Sequence, residues 1–270
     1  MLVPGAGHAL AARVIESMGF EAVYLSGAGL TNHFYGLPDL GFMGLHDVAA
    51  HTAAIRDVVA LPLIVDADTG FGNALNVRHT VRTLERAGAN AVQLEDQVAP
   101  KKCGHFAGKQ VIERTEMVGK IMAAVDARHS EDVLIIARTD ARALHGLDDA
   151  LERAQAYADA GADITFVEAP TGVDELRRIA TELAVPQIVN VVIGGQTPAL
   201  TAEALGTMGF AMVLYANAAL QGAVRGTTNA LGHLKRDGAL PELDELVATF
   251  VERQALVKKH EFDALGRRYG

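Results

Sequence analysis

The stretch PLIVDADTGFGNALNVRHTVRTLERAGANAVQLEDQ, residues 62–97, decides the fold class of this 270-residue chain. It begins and ends with a short apolar run whose composition is typical of a buried β-strand. Between the two runs, Val77, Val81 and Leu84 share one face of a predicted helix, and Gly88 follows as a C-terminal stop. Two buried strands joined through a helix indicate a parallel sheet covered by helices.

The same alternation of strand and helix patterns continues through the chain. Further runs with strand composition lie at 2–7, 22–27, 133–141, 163–169, 186–192 and 211–217. Eight strands alternating with helices in about 250 residues predict an α/β fold, a closed (β/α)8 barrel of the TIM type; an open doubly wound sheet is the alternative. No linker or low-complexity segment interrupts the pattern, so we expect one domain over 1–270.

Residues 240–265, after the last predicted strand, have the pattern of one long helix. Its apolar stripe consists of Leu243, Val247, Phe250 and Val257, with Leu246 and Leu256 beside it. A stripe of this breadth requires a partner, which is either the chain's own barrel or another subunit. We expect the helix to pack on another subunit.

The charge balance argues against nucleic acids and membranes as partners. The chain has 24 Lys and Arg residues against 33 Asp and Glu residues, a formal net charge of −9, so its surface repels phosphate groups. Residues 204–224 are uncharged, but Gly, Asn and Gln interrupt them, and we interpret them as a buried strand followed by a helix that begins near Ala218. A single cysteine and the lack of a signal-peptide pattern predict a cytoplasmic protein.

Functional groups of a parallel barrel gather where its strands end, and here carboxylates dominate those positions. Asp66 and Asp68 are two residues apart on a predicted strand, so both side chains should point to the same face. With Glu95 they form a cluster of hard oxygen ligands that suits Mg²⁺ or Mn²⁺ better than Zn²⁺. Alternatively, the two aspartates cap a helix or pair with Arg138, although Asn73 is the better cap candidate.

Ser26 and the three small residues after it follow another predicted strand. Their backbone N–H groups are suited to hold a carboxylate or an oxyanion. A tight turn between strand and loop is the alternative, and this motif alone does not decide between them.

Cys103 is the single cysteine and lies in the segment PKKCGH, residues 100–105. Two lysines and a histidine beside a thiol lower its pKa, which favours a reactive group. The alternative is an inert, buried cysteine that only fills space.

Several motifs occur together in a characteristic order and spacing. They are VYLSGAG (23–29), GLPDLG (36–41), DADTGFGN (66–73), QLEDQ (93–97), PKKCGH (100–105), ARTDA (137–141), VEA (167–169) and VN (189–190). Taken together, they resemble the isocitrate lyase and phosphoenolpyruvate mutase superfamily over nearly the whole chain, and KKCGH resembles its lyase branch. The resemblance implies a (β/α)8 barrel, Mg²⁺ at the barrel mouth, a mobile loop around Cys103 and a homotetramer whose last helices are exchanged between subunits.

The resemblance also implies roles for individual residues. Asp66 would be the main Mg²⁺ ligand, and Asp68, Glu95 and Asp39 would act directly or through waters. The proposed catalytic residues are Cys103 as general acid, Lys101 and His105 near it, and Tyr24 as partner of the substrate hydroxyl. The proposed substrate-binding residues are Ser26, Gly27, Ala28, Gly104, Arg138, Glu168, Asn190 and Arg253.

Two positions depart from the methylisocitrate lyase pattern. Val192 and Ile193 replace a polar Thr-Glu pair, and Gln221 replaces a substrate-binding arginine. We expect these residues to form an apolar wall that favours an alkyl group over a third carboxylate.

The resemblance therefore implies a Mg²⁺-dependent carbon–carbon lyase for a substituted 2-hydroxy di- or tricarboxylate, which yields a 2-keto acid and a carboxylate. Three alternatives stay open. They are a carboxyvinyl-carboxyphosphonate phosphonomutase, an oxaloacetate hydrolase or decarboxylase, and a barrel that binds a keto acid without catalysis.

Overall fold

The structure, a computed structural model, describes residues 1–104, 106, 108–242 and 245–270. Within them, eight strands form a closed barrel, in which each strand pairs in parallel with the next and the last pairs with the first. The strands are β1 (Leu2–Ala6), β2 (Val23–Leu25), β3 (Leu63–Asp66), β4 (Ala91–Glu95), β5 (Leu134–Thr139), β6 (Ile164–Val167), β7 (Gln187–Asn190) and β8 (Met212–Tyr215). The predicted barrel is confirmed.

Helices follow the strands around the outside of the barrel. They are α1 (Ala9–Ser17), α2 (Gly27–Tyr35), α3 (Leu45–Arg56), α4 (Ala74–Arg86), α5 (Arg114–Val125), α6 (Arg142–His145), α7 (Leu147–Asp159), α8 (Val173–Glu182), α9 (Ala202–Met208), α10 (Ala218–Asp237), α11 (Phe250–Leu256) and α12 (Lys259–Tyr269). In the part of the chain that the structure describes, no helix is long and apolar enough to cross a membrane. The division into domains stays a prediction.

Strand residues alternate between two hydrophobic clusters, because successive side chains of a strand point to opposite faces. Ile64 packs inside the barrel with residues such as Phe166 and Leu214. Its neighbours Leu63 and Val65 belong to the cluster between strands and helices. Both faces are therefore buried, which is why these strands read as continuous apolar runs.

Helix α4 shows how local sequence positions the mouth of the barrel. The Asn73 side chain accepts hydrogen bonds from the backbone N–H groups two and three residues later, at 3.0 and 3.2 Å, so the helix begins immediately after it. Val77, Val81 and Leu84 are buried, as their spacing predicts. Gly88 ends this unit with a φ of +101°, which a residue with a side chain rarely adopts.

The prediction of one long helix over 240–265 is wrong. Helix α11 begins only after Thr249, whose hydroxyl and the Glu252 carboxylate form a capping box, and Lys258, with a φ of +54°, separates α11 from α12. Apolar spacing alone did not reveal these two interruptions. Leu243 of the expected stripe lies outside the described residues.

Helices α10, α11 and α12, which are described throughout, contain no buried residue. Large apolar side chains on them are more than half exposed, among them Val224, Leu231, Phe250 and Phe262. The exposed apolar surface therefore includes α10 as well as the predicted C-terminal segment. Helix α10 begins at Ala218, as expected. Exchange between subunits stays a prediction.

Candidate active site

A cavity lies at the C-terminal ends of the strands, partly open to solvent. It is lined by these predicted site residues: Tyr24, Ser26, Ala28, Asp39, Asp66, Lys101, Cys103, Gly104, Arg138, Glu168 and Asn190. Six different strands, β2 to β7, contribute to this set either through their last residues or through the segments that follow them. Barrel closure therefore brings together side chains that are far apart in the sequence.

Asp66 and Asp68 approach each other in a way that strand alternation does not explain. Strand β3 ends at Asp66, and Asp68 has a φ of +48° in the turn that follows. The Asp68 backbone N–H donates to Asp66 Oδ1 at 3.1 Å, and the Gly27 N–H donates to Asp66 Oδ2 at 3.3 Å. The expectation that both aspartates lie on a strand is wrong, because the turn places Asp68.

Lys101 supplies the positive charge that these carboxylates require. Its ammonium lies 2.6 Å from Asp39 Oδ1 and 2.9 Å from Asp68 Oδ1. Burial alone would lower the pKa of Lys101, but Asp68 and the acidic groups around it raise that pKa well above its usual value. Burial raises the pKa of Asp68 to about 6 although Lys101 opposes the shift. The cation at this aspartate is Lys101 and not Arg138.

Arg138 is held by carboxylates from three strands. It lies 3.1 Å from Glu95 Oε2, donates to both oxygens of Asp140 at 3.0 and 3.1 Å, and lies 3.7 Å from Glu168 Oε2. Its guanidinium also stacks over the Phe166 ring, 5.5 Å from the centroid. These contacts fix the guanidinium at the cavity wall, where a bound anion would meet it.

Tyr24 keeps its proton in this environment. Its hydroxyl donates to Gln93 Oε1 at 3.0 Å, and Gln93 Nε2 donates to Asp66 Oδ1 at 3.3 Å. Burial raises the pKa of Tyr24 well above its usual value, and the nearby Asp66 adds to the shift. Tyr24 is therefore suited to orient a ligand and not to remove its proton.

The loop that contains Cys103 lies directly on the cavity. The Cys103 N–H donates to the Asp39 carbonyl at 3.3 Å, and the half-buried side chain lines the cavity. At Gly104, a Cβ would lie 2.5 Å from the Arg138 guanidinium and 2.6 Å from Glu168 Cγ, so only glycine fits without a shift. This close approach places the thiol beside the charged groups of the mouth.

The small residues after β2 form the start of helix α2 and not an isolated turn. Ser26 Oγ accepts from the Gly29 N–H at 3.1 Å as the N-cap and lies 3.3 Å from Asn217 Oδ1, to which it donates. The Gly27 N–H is already bound to Asp66. A ligand at this helix start therefore meets the Ala28 side of the turn, where Ala28 lines the cavity.

Four apolar residues on or after β6, β7 and β8 also line the cavity: Phe166, Val192, Leu214 and Ala216. The polar residues Glu168, Asn190 and Asn217 line it from the same three strands or from the segments after them. Ile193 is 56% exposed and lies outside the lining.

Gln221 also lies outside the lining of this cavity. It is exposed on α10 and borders a groove between α2 and α10. The expected apolar wall thus includes Val192 but neither Ile193 nor Gln221, because the chain leaves the mouth immediately after Val192 and α10 projects from the barrel.

Comparison with known proteins identifies the family. A family model described as phosphoenolpyruvate phosphomutase matches residues 1–235. The chain belongs to the PEP mutase/isocitrate lyase superfamily. Among relatives, the 2,3-dimethylmalate lyase of Eubacterium barkeri is 44% identical over 93% of this chain and 87% of that protein. The 2-methylisocitrate lyase of Aeropyrum pernix is 43% identical over 97% of this chain and 84% of that protein.

Solved structures of this superfamily match the whole chain. A crystal structure of 2,3-dimethylmalate lyase has a TM-score of 0.94 and 36% identity, and it covers 100% of this chain and 90% of that one. A phosphonopyruvate hydrolase in complex with oxalate and Mg²⁺ has a TM-score of 0.89 and 31% identity, with 100% and 94% coverage. Members with several different activities therefore share this barrel.

Of two further residues that the resemblance to the superfamily suggested, one lies outside the cavity and the other is not described. Arg253 is exposed on α11, outside the cavity lining, and stacks over the Phe250 ring at 5.3 Å. His105 lies outside the described residues. The roles assigned to both stay predictions.

Sequence reasoning missed two polar residues of this superfamily site. Gln93 connects Tyr24 to Asp66, and Asn217 receives the Ser26 hydroxyl. Simple signals were present for both. Gln93 is two residues before Glu95 and so shares its face of β4, and Asn217 follows β8 at the functional end of the barrel.

Proposed function

We propose that this protein is a Mg²⁺-dependent carbon–carbon lyase that cleaves an alkyl-substituted 2-hydroxy dicarboxylate into a 2-keto acid and a carboxylate. The observation that carries the proposal is the position of Cys103, which lines one cavity together with Asp39, Asp66 and Arg138. A lyase of this type needs a proton donor for the departing carbanion, and a thiol in a loop over the mouth meets that need.

The donor set of the acidic cluster fits Mg²⁺. Within the described ranges, no three of its carboxylates converge as direct ligands of one ion, and a buried oxygen, Glu95 Oε1, has no hydrogen-bond partner there. Mg²⁺ characteristically takes one or two protein carboxylates and keeps several waters. Asp66 would hold the ion, with Asp68, Asp39 and Glu95 acting through water, and Mn²⁺ would substitute. The bound ion would polarise the substrate oxygens and neutralise charge that develops on them.

The chain's own groups then divide the remaining work. Arg138 would bind a substrate carboxylate, and the start of α2 at Ser26, Gly27 and Ala28 would face the keto-acid end. Tyr24, whose own proton is donated to Gln93, would accept a hydrogen bond from the substrate hydroxyl. Cys103 would deliver its proton to the carbon that leaves. Lys101, His105, Gly104, Glu168 and Asn190 would shape the surroundings of the thiol.

The apolar wall supports the choice of substrate class. Phe166, Val192, Leu214 and Ala216 offer no charge-assisted partner for a third carboxylate, whose burial without one is costly. An alkyl group gains roughly 0.8 kcal/mol for each methylene buried there. A substituted malate therefore fits this side better than a tricarboxylate.

Release of a 2-keto acid tests the proposal directly. The full-length protein with Mg²⁺ is incubated with alkyl-substituted malates, methylisocitrate, oxaloacetate and a phosphonate substrate, and keto acid is measured. The expected result is the highest kcat/KM for an alkyl-substituted malate. Turnover of the phosphonate alone would favour a mutase, and turnover of oxaloacetate alone would favour a hydrolase or decarboxylase.

We also propose that the protein is a cytoplasmic homotetramer in which α10, α11 and α12 are exchanged between subunits. The support is the lack of buried residues in these helices and the exposure of their large apolar side chains. Light scattering should give a tetramer for the wild type and smaller species for Val224→Glu combined with Leu231→Glu. A wild-type monomer would contradict the assembly.

A further inference from the structure

The Cys103 loop, defined here as the described residues of 97–111, is closed at its base by backbone contacts. Gln97 and Val111 form an antiparallel bridge, and the Val98 N–H donates to the Gln110 carbonyl at 2.9 Å. These contacts hold the two ends of the loop together but do not reach the barrel mouth. Lys101 and the Cys103 N–H hold the loop against Asp39 and Asp68 on one side of the thiol, and a further contact holds Gly104 on the other side.

Lys109 makes that contact. Its ammonium donates to the carbonyl of Gly104, the residue after Cys103, and to Asp140 Oδ1 at 2.7 Å. Lys109 is 6% exposed, and Asp140 is fully buried after β5. One side chain thus joins the tip of the loop to the barrel.

Asp140 is itself part of the active-site network. It accepts two hydrogen bonds from Arg138, at 3.0 and 3.1 Å, while its N–H donates to Asp96 at 2.9 Å. Burial would raise the pKa of Asp140, but Arg138 and Lys109 outweigh it and lower that pKa. The carboxylate is therefore shared between the group expected to hold the substrate and the group that holds the loop.

A buried ammonium is stable only where it is paired, and Asp140 is the charged partner of Lys109 in this position. If the loop rises, the contact between Lys109 and the Gly104 carbonyl is lost, and the thiol moves away from the mouth. If Lys109 loses its charge, the Gly104 segment loses its charge-assisted contact with Asp140, while the Lys101 ion pairs and the bridge at the base of the loop persist.

We propose that Lys109 is a positioning residue that keeps the Cys103 thiol over the substrate by tying the Gly104 carbonyl to Asp140. It does not contact the substrate, and it acts through the loop. This inference deepens the proposed lyase function and rests on it for the catalytic consequence. The structural consequence, a Gly104 segment held to Asp140 by the Lys109 ammonium, can be measured without any turnover.

The chain offers a matched control in the same loop. Lys102 also donates its ammonium to a loop carbonyl, that of Gly108 at 2.8 Å, but this contact is exposed and lies within the loop. Lys102→Met removes the same charge and the same kind of hydrogen bond without cutting a tie to the barrel. This variant distinguishes the effect of losing positive charge near the thiol from the effect of losing the contact between Gly104 and Asp140 through Lys109.

Alkylation of Cys103 reports loop opening, because it is the single cysteine of the chain. The full-length protein with Mg²⁺ is treated with iodoacetamide and followed by mass spectrometry over a range of pH. The plateau rate at high pH measures access to the thiolate independently of the thiol pKa. We expect Lys109→Met to raise this plateau about tenfold, Lys109→Arg to restore most of the protection, and Lys102→Met to stay within about twofold of wild type.

Kinetics with the best substrate provide the second readout. Lys109→Met should lower kcat about tenfold with a smaller change in KM, since the proton donor and not the substrate anchor is displaced. If Lys109→Met does not fold, Lys109→Gln is measured instead, because it removes the charge but keeps a hydrogen-bond donor for the Gly104 carbonyl.

An unchanged plateau rate in the folded variant would overturn the inference whatever the activity. A wild type that releases no keto acid would overturn the proposed function but leave the alkylation comparison intact. The two failures are therefore distinguishable.

Discussion

The two sides of the barrel mouth differ in the kind of contacts that build them. The side formed after β2 to β5 is a buried network of charges, in which Lys101 and Arg138 are each shared among several carboxylates. The side formed by β6 to β8 and the segments after them adds the apolar residues Phe166, Val192 and Leu214 beside Glu168, Asn190 and Asn217. Removal of one member of a charged network weakens the interactions of the remaining members as well. Removal of one side chain from an apolar wall costs only the free energy of its own contacts. We therefore expect chemistry to depend on the first side and substrate preference on the second.

Removal of the divalent cation should have the largest effect. Without it, Asp66, Asp68 and Glu95 face an anionic substrate with too little positive charge, so exhaustive treatment with EDTA should abolish turnover. Mg²⁺ or Mn²⁺ should restore it, as measured by keto-acid release. Full activity after chelation would show that the positive charges of Lys101 and Arg138 suffice for turnover without a divalent cation.

Cys103→Ser should lower kcat about 10²-fold or more, because a hydroxyl at this position is a far weaker acid than a thiol. KM should change much less, since the charged anchors remain. Alkylation should inactivate the wild type, and a bound keto acid should protect it. A serine variant with near wild-type kcat would make the thiol a packing residue and favour the mutase or decarboxylase alternatives.

Gly104→Ala should have an intermediate effect. The new methyl would lie 2.5 Å from the Arg138 guanidinium and 2.6 Å from Glu168, both buried, so the loop must rise from the mouth. We expect kcat to fall roughly tenfold with little change in melting temperature, because the barrel core is untouched. Gly119→Ala on α5, where the new methyl has no atom within 4 Å and φ is not positive, controls for the exchange of glycine for alanine itself. Equal losses in both variants would contradict the contact argument.

Val192→Ala should have the smallest effect and should act on substrate preference. Each methylene lost from the wall removes roughly 0.8 kcal/mol, so kcat/KM for an alkyl-substituted malate should fall several-fold while that for malate changes little. Ile193→Ala is the matched control, since its neighbouring side chain is 56% exposed and outside the lining. If the two variants lose the same activity, the wall does not select the substrate.

The correct and the incorrect helix predictions together show where sequence patterns stop being informative. The start of α10 near Ala218 and the cap at Asn73 were predicted correctly, because composition and capping are properties of adjacent residues. The single helix over 240–265 was predicted wrongly. Thr249 and Lys258 interrupt the helix, although the apolar spacing continues before and after each of them. Apolar periodicity records which residues need burial and not whether the backbone stays helical between them.

The sequence by itself determined the barrel and most of the polar groups at its mouth, although Gln93 and Asn217 were missed. Strand and helix periods are local, and the rule that function lies at the C-terminal strand ends then selects residues such as Asp66, Glu95 and Arg138. Only the tertiary structure decided how those groups pair. Lys101 lies between Asp39 and Asp68, and Lys109 reaches Asp140, because loops from separate strands meet once the barrel closes. Such pairings depend on distances of a few ångströms between segments remote in sequence, which residue spacing along one strand does not encode.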